Sequence, residues 1–258
     1  MTTVLWHIGI SHYNEKARWA LDYKSIPHVR RAPMPGMHGL YALAITRGAQ
    51  RRLPVLELGD RRIGDSTAII ASLEAYRPDP PLYPANPADR VRALALEDFF
   101  DEHLGPALRR YVWHHTLRDP EATVSAVAPK AGPGRARALR RLVPIVRPAV
   151  RRDYGIANGT AASAADEIRA AMDRVEAELR PSGYLVGDGF SVADLSAAAL
   201  FTPVLAPRQR PYVPSTLAPA LVELGEELAR RKGGAWIAEM YARHRGRSAE
   251  VPNRRVGG

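Results

Sequence analysis

The sequence predicts an α/β domain of element order βαβαββα followed by a region built entirely of helices. Short apolar segments bounded by turn residues occur before residue 77, a proline-dense segment follows, and beyond it apolar residues recur at helical spacing. The chain of 258 residues is long enough for two cores. We therefore expect an α/β domain at 1–77, a linker at 78–88, a helical domain at 89–247 and a polar, fraying tail at 248–258.

The elements of the α/β domain follow from local signals. Residues 4–10 form a short apolar run that is typical of a buried strand. Asn14 is a candidate N-cap for a helix that ends near Tyr23, because Pro27 stops it. The remaining expected elements are strands at 28–31, 53–58 and 61–63, a short irregular helix at 37–46, and a helix at 66–76.

The helical region should begin with a long amphipathic helix from residue 89 to about 117. Ser191 and Asp194 have the spacing of a capping box, so a helix should start there. Pro144 and Pro148 are expected to kink or split the helix that contains them. The other expectations are a mobile Pro/Gly/Ala-rich loop at 118–134 and helices near 135–152, 163–180, 191–202, 217–231 and 236–244.

The chain contains no cysteine. This excludes disulfides, thiolate metal sites and a cysteine nucleophile, and no metal site is expected. Any thiol chemistry must take its sulfur from a ligand.

Positive charge is concentrated in one segment. Residues 130–152 hold eight basic residues and no acid, which gives +8 of the net charge of +10. The rest is nearly neutral, so no nucleic-acid surface is expected. The segment 135–152 is either a solvated helix face, with its arginines opposite Leu139, Leu142, Val143 and Val146, or a docking site for an anionic partner. Such a partner would be an acidic substrate, an acidic carrier protein or a membrane surface, and binding that rising salt does not weaken would contradict it.

The location of the protein is predicted from what the sequence lacks. No apolar run reaches the ~18 residues of a membrane span, and the N-terminus does not have the pattern of a signal peptide. We expect a cytoplasmic protein.

Leu53-Pro54 predicts a docking edge. Proline is tolerated at the head of a strand, and a cis bond at Pro54 is expected to turn the N–H and C=O of Leu53 outward. An extended ligand could then pair with them as one more strand. Asp65 and Ser66 open the next helix, where they could hold the charged end of a small peptide.

Four segments together resemble the glutathione S-transferase superfamily, of the cytosolic bacterial type with a serine in the first loop. These segments are residues 11–21, 53–56, 64–69 and 184–194, and they follow the family's order. The resemblance implies a thioredoxin-like α/β N-terminal domain plus an all-α C-terminal domain, and a homodimer. It implies glutathione, or another low-molecular-weight thiol, as cosubstrate and a small electrophilic second substrate.

The resemblance also implies residue roles. Ser11 would donate a hydrogen bond to the thiol sulfur, with Asn14 and Tyr13 as alternatives, although Ser11 and Asn14 are equally candidate helix caps. Leu53, beside Pro54, would bind the cysteinyl backbone. The two ends of the tripeptide would contact Asp65 (ammonium), Ser66 (carboxylate) and the segment containing Gln50 and Arg52 (glycyl carboxylate).

A second substrate is expected between the two domains. The candidate contacts are His12, Met34, Tyr111, Trp113 and His115, for which ordinary packing is the alternative. The Pro-rich stretch 203–219, with Arg208, Arg210 and Tyr212, is either a cap over the pocket or a solvated loop.

The expected function is a transferase that adds a thiolate to an electrophile. If the thiol is later expelled, the same site would give a cis–trans isomerase or a dehalogenase. Family members that form mixed disulfides through a protein cysteine are excluded, since position 11 is serine. A non-catalytic ligand-binding or interaction protein of the same fold is the remaining alternative.

Overall fold

The fold begins with a four-stranded sheet of order β2-β1-β3-β4, seen in a computed structural model that describes residues 2–34, 36–129, 131–157 and 159–252. Strands β1 and β2 are parallel, and the other neighbouring pairs are antiparallel. The strands are β1 (Thr3–Trp6), β2 (His28–Arg31), β3 (Val55–Leu58) and β4 (Arg61–Gly64).

Three helices complete the predicted βαβαββα order: α1 (His12–Tyr23), α2 (His38–Ile45) and α3 (Ser66–Tyr76). One local prediction is wrong: the first strand ends at Trp6, and residues 7–11 form a loop that we call the Ser11 loop. Of the two candidate N-caps of α1, Ser11 is the cap, and Asn14 lies within the first turn. The Leu53–Pro54 peptide bond is cis, as predicted.

The rest of the chain is helical, as predicted. Its helices are α4 (Pro87–Phe99), a π-helical turn (Phe100–Leu104), α5 (Gly105–Thr116), α6 (Pro120–Val127), α7 (Pro133–Asp153), α8 (Thr160–Glu178), α9 (Val192–Leu200), α10 (Pro219–Ala229) and α11 (Lys232–His244). The capping box of α9 is present: the Asp194 carboxylate accepts from both the N–H and the hydroxyl of Ser191.

Helices α6 and α7 correct two predictions. Helix α6 replaces the first part of the loop expected at 118–134, because Asp119 caps the N–H groups of Glu121 and Ala122. Helix α7 runs through Pro144 and Pro148 without a break. Both prolines are exposed, so water can reach the carbonyl groups that they leave without a donor.

The arginine-rich helix α7 packs less than expected. Only Ala136 and Val143 are buried, while the apolar side chains of Leu142, Ile145 and Val146 are exposed. Its anionic partner stays a prediction, and Lys130 lies outside the described residues. Within the described ranges, no helix combines the length and apolar character that crossing a bilayer requires.

Buried charges join the α/β part to the helical part. The ammonium group of Lys16 on α1 is fully buried and lies 2.7 Å from Glu97 and 2.5 Å from Asp101. The Thr67 hydroxyl, in the first turn of α3, lies within hydrogen-bond distance of the same two carboxylates, 3.1 Å from Glu97 and 2.8 Å from Asp101. Helix α1 also packs against α9, so the core is continuous across the proposed domain boundary.

The tail predicted to fray is ordered up to Val251. The N–H of Ala249 donates to Asp22 at 2.8 Å, and the N–H of Val251 donates to the His28 carbonyl at 2.9 Å. The tail thus runs beside the open edge of β2, where Glu250 forms a parallel bridge with His28. The last six residues, 253–258, lie outside the described residues.

Candidate functional site

A cavity of about 280 Å³ lies where the Ser11 loop meets α5 and the end of α7. Six residues proposed from the sequence line it: Ser11, His12, Tyr13, Arg52, Leu53 and, from α5, Trp113. The remaining lining residues are Ile8, Ile10, His38, Gly39, Arg51, Leu108, Arg109, Val112, Asp153, Tyr154 and Pro203.

Asn14 lies directly beneath this cavity and is fully buried. Its Oδ1 accepts from the N–H of Ile8 at 2.9 Å, while Nδ2 donates to Ser11 Oγ at 2.7 Å and to the Leu53 carbonyl at 3.1 Å. The N–H of Ile8 and the carbonyl of Leu53 fix which end of the amide is oxygen. Both amide hydrogens are therefore in use, which favours a positioning role over direct thiol contact.

Ser11 caps α1, which is one of the two roles proposed for it, and keeps a hydrogen that it could donate. Its Oγ accepts from Nδ2 of Asn14 and from the backbone N–H of the same residue at 3.4 Å, which caps α1. A hydroxyl that accepts in this way still has its own hydrogen to donate. Because Ser11 lines the cavity, that hydrogen is available to a bound group.

Two buried arginines hold the Ser11 loop. Arg18 donates to the carbonyls of Ile8, Gly9 and Ser11, and Arg210 donates to that of Ile10, at N···O distances of 2.8–3.5 Å. Their side chains are almost completely inaccessible to water. Arg210 thus lies behind the loop, neither capping the pocket nor solvated. This role could not be inferred from the sequence.

Arg18 belongs to a larger buried ion-pair network. Glu15 lies 2.8 Å from Arg18 and 2.7 Å from Arg245, which also lies 2.7 Å from Asp22. Burial opposes ionisation of Glu15, yet the two arginines outweigh it and lower the pKa of that carboxyl. The network fixes α1, and with it Arg18, under the Ser11 loop.

His12 and Tyr13 lie on the cavity wall with their polar atoms turned toward the helical region. His12 Nε2 lies 3.2 Å from the Gly105 carbonyl, and the Tyr13 hydroxyl donates to the Asp101 carbonyl at 2.6 Å. Burial raises the pKa of Tyr13 to about 12. A β-carbon at Gly105 would overlap the Tyr13 hydroxyl. The catalytic role of Tyr13 is therefore not favoured, because its hydroxyl is already committed.

Replacing His12 by glutamine should make the fold less sensitive to acid. Burial, with Arg109 and Arg210 nearby, lowers the pKa of His12 from 6.5 to about 3. As the pH falls, the unfolded chain therefore binds a proton at His12 before the folded chain does. The free energy of unfolding that His12 leaves intact above pH 6.5 is reduced as the pH falls below 6.5. His12 should cost about 2 kcal/mol of unfolding free energy between pH 6.5 and about pH 5.

Urea unfolding at these two pH values measures the effect. Glutamine can still donate to the Gly105 carbonyl, so the variant tests the titration rather than the hydrogen bond. His103→Gln, at an exposed position on the π-helical turn, is the control. An acid sensitivity that is the same in His12→Gln as in the unaltered protein would contradict the assignment.

The residues proposed to hold the ends of a thiol tripeptide are divided between two places. Asp65 is exposed, has a φ of 72°, and caps α3 through Oδ1. Ser66 is almost completely buried, and its hydroxyl has no hydrogen-bond partner among the described residues. Gln50 packs over Gly64, where an added β-carbon would overlap its amide. Of the residues proposed to contact the backbone and the two ends of the tripeptide, Arg52 and Leu53 alone line the cavity.

Three residues proposed to contact a second substrate lie outside the cavity lining. Tyr111 is in the core, where its hydroxyl donates to the Ala220 carbonyl at 3.0 Å, and His115 packs on its ring. They occupy the side of α5 opposite Arg109 and Trp113, since residues two apart on a helix lie far apart around its axis. Met34 is 56% exposed.

Sequence reasoning missed Arg109 and Tyr154. The Arg109 guanidinium lies 5.3 Å from the centre of the Tyr13 ring and 5.7 Å from that of Tyr154. Trp113 stacks on Tyr154, with ring centres 5.9 Å apart and planes 21° apart. Arg109 is four residues before Trp113, a spacing that places both on one helix face. No comparable signal in the sequence points to Tyr154.

Two protein families match the sequence. The family described as "Glutathione S-transferase, N-terminal domain" matches residues 5–81, and "Glutathione S-transferase, C-terminal domain" matches residues 136–231. No curated protein matches the chain.

Solved structures share the fold at low sequence identity. FzlA from C. crescentus is 19% identical, with 92% of each chain covered and a TM-score of 0.58. A glutathione S-transferase from Methylobacterium radiotolerans, in complex with glutathione sulfonate, is 20% identical, with 99% of this chain and 100% of that chain covered and a TM-score of 0.56. The β-etherase LigF from Sphingobium sp. strain SYK-6 is 20% identical, with 93% of this chain and 99% of that chain covered and a TM-score of 0.55.

These structural likenesses concern the fold alone, while the two family matches together span more than half of the sequence. The chain belongs to the glutathione S-transferase superfamily.

Proposed function

We propose that this protein is a glutathione-dependent transferase that stabilises the thiolate of glutathione with Ser11 and adds it to a small electrophile. One observation carries the proposal: Ser11 Oγ accepts from Asn14 at 2.7 Å and lines the cavity, so its own hydrogen can donate to sulfur. Accepting one hydrogen bond polarises a hydroxyl and strengthens the bond that it donates.

The charges around Ser11 act in the same direction. The N-terminus of α1 and the guanidinium groups of Arg52 and Arg109 favour an anion in the cavity. Arg18 and Arg210 add positive charge directly behind the loop. These groups should hold the thiol pKa below its ordinary value of about 8.5.

The chain offers partners for both ends of glutathione. Arg52 lines the cavity beside Leu53, where it would pair with the glycyl carboxylate. The Ser66 hydroxyl would donate to the γ-glutamyl carboxylate, and Asp65 would accept from the ammonium group. Asp65 caps α3 through one carboxylate oxygen, Oδ1. Asn14 already donates to the Leu53 carbonyl, so we assign the cysteinyl contact to the Leu53 N–H.

The proposed step balances without any protein sulfur. The thiol releases its proton to solvent as it ionises beside Ser11. The thiolate sulfur then forms a bond to an electrophilic carbon, and the leaving group departs with the electron pair of the bond that breaks. An isomerase or a dehalogenase would need a second step that expels the thiol, which product analysis would detect. The homodimer stays a prediction.

Replacing Ser11 by alanine should raise the pKa of bound glutathione by about 1–2 units. We expect kcat/KM for thiol addition to fall at least tenfold, because less of the nucleophilic thiolate is present at neutral pH. Titrating the ultraviolet absorbance of the bound thiolate measures the shift. No protein thiolate contributes to this absorbance, because the sequence contains no cysteine.

Asn86→Ala is the matched control, since it also removes a helix N-cap, that of α4, but lies outside the cavity. An unchanged thiol pKa in Ser11→Ala would contradict the role of Ser11. Calorimetric binding of glutathione without measurable turnover would instead indicate a non-catalytic binding protein, and no binding at all would contradict the glutathione site.

A further inference from the structure

Arg109 is a cation without an anionic partner. Among the described residues, no carboxylate forms an ion pair with it, whereas the neighbouring Arg110 pairs with Glu167 at 2.6 Å. Arg109 lies between the rings of Tyr13 and Tyr154. Two flanking rings hold a guanidinium in place while leaving its hydrogen-bond donors free for a ligand.

The charged groups lining the cavity are unbalanced. Three arginines, Arg51, Arg52 and Arg109, line it together with a single acid, Asp153. Under the proposed function, the glycyl carboxylate of glutathione occupies the positive charge near Leu53. Arg109 lies on α5, in the helical region, and remains available to a second molecule.

Flat apolar surfaces lie next to Arg109. The Trp113 and Tyr154 rings stack on each other, and Leu108 and Val112 continue the same wall of α5. Aromatic side chains prefer offset stacking with other planar groups. This wall therefore suits a planar ring, while Arg109 beside it suits a carboxylate.

We propose that the second substrate is a planar aromatic or unsaturated carboxylic acid, whose carboxylate binds Arg109 and whose ring packs against Trp113 and Tyr154. The inference rests on the proposed function and names the substrate class for that site. A guanidinium can bind a carboxylate through two parallel hydrogen bonds, which an uncharged analogue cannot reproduce.

A matched pair of electrophiles tests the substrate class. One is a chloronitrobenzoate with chlorine para to the carboxyl group, and the other is the corresponding uncharged amide. The thiolate sulfur bonds to the ring carbon that carries chlorine, chloride leaves with the electron pair, and the thiol proton goes to solvent. Each enzymatic rate is divided by the rate with free glutathione, because the two rings differ in intrinsic reactivity.

We expect the unaltered protein to prefer the acid at least tenfold in kcat/KM. Arg109→Gln should remove that preference, and Arg110→Gln should retain it. The preference is the ratio of the two rates, so a change in thiolate stabilisation that affects both substrates equally cancels from it. Arg109→Lys keeps the charge but loses the geometry for two parallel hydrogen bonds. Its preference for the acid should therefore lie between the preferences of Arg109→Gln and Arg110→Gln. Equal use of the acid and the amide by the unaltered protein would overturn the inference and leave the proposed function intact.

Binding without reaction separates the two proposals. Para-nitrobenzoate has no leaving group, and its affinity is measured by calorimetry without glutathione. Loss of binding in Arg109→Gln but not in Arg110→Gln would support the acid site even if no thiol were transferred. Equal affinity of all three proteins for this acid would overturn it. Thermal unfolding of each variant verifies that the fold is retained.

Discussion

Replacing Arg245 by methionine is expected to lower the free energy of unfolding by about 3–5 kcal/mol. The guanidinium is almost completely buried and lies 2.7 Å from both Glu15 and Asp22. Methionine fills part of the space but supplies no charge, so two buried carboxylates lose a partner. Urea unfolding at neutral pH measures the change.

The control for this substitution lies two residues earlier in the sequence, in the last turn of α11. Arg243 pairs with Glu239 at 2.7 Å, but both side chains are about half exposed. Arg243→Met should therefore cost no more than about 0.5 kcal/mol. Equal, small losses in both variants would contradict the role assigned to the buried network.

The effect of losing Arg245 should depend on pH. Burial opposes ionisation of Glu15 and Asp22, but the surrounding arginines outweigh it and lower the pKa of both carboxyls below 4.5 and 3.8. A lowered carboxyl pKa contributes stability above its unfolded value, and that stability is lost as the pH falls through the folded value. The difference in the free energy of unfolding between Arg245→Met and the unaltered protein should therefore become smaller below about pH 4.

Replacing Asn14 by aspartate is expected to abolish stabilisation of the thiolate, although Ser11 itself is unchanged. A carboxylate cannot donate to Ser11 Oγ, so the hydroxyl would turn its hydrogen toward position 14 instead of the ligand. A negative charge beneath the cavity would also oppose a thiolate above it. The pKa of bound glutathione should rise by at least the amount expected for Ser11→Ala.

The same substitution at Asn86 provides the control. Asn86 caps α4 through its oxygen alone, and aspartate performs that function equally well. Asn86→Asp should therefore leave the thiol pKa unchanged. If Asn14→Asp also left it unchanged, the direction of the Asn14–Ser11 hydrogen bond would be wrong. The thiolate absorbance titration applies to both variants.

Local sequence signals predicted the elements that depend on local interactions. The capping box of Ser191 and Asp194 spans four residues, and the helix predicted at 66–76 follows a capping acid directly. Helix α6 could have been predicted in the same way, because Asp119-Pro120 combines an N-cap with a proline in the first turn. The ordered tail could not have been predicted from local signals, because its order depends on contacts with Asp22 and His28.

The same distinction between local and long-range interactions applies to the candidate site. Ser11, Arg52 and Leu53 were predicted because they belong to short motifs, and all three line the cavity. Tyr111 and His115 were chosen for their residue type on the correct helix, but residue type does not reveal which face of α5 meets the cavity. Arg109 and Tyr154 become neighbours only when the end of α7 reaches α5.

The hydrogen bond from Arg210 to Ile10 spans 200 residues of sequence. The loop that presents Ser11 is therefore completed by a part of the chain that contributes none of the residues proposed to bind the thiol. A chimera that joined residues 1–77 to the helical region of a relative would inherit Ser11 and Asn14 but lose this guanidinium. Exchange of domains between relatives would thus transmit the geometry of the Ser11 loop, and with it the proposed thiol site, only when position 210 was inherited with it.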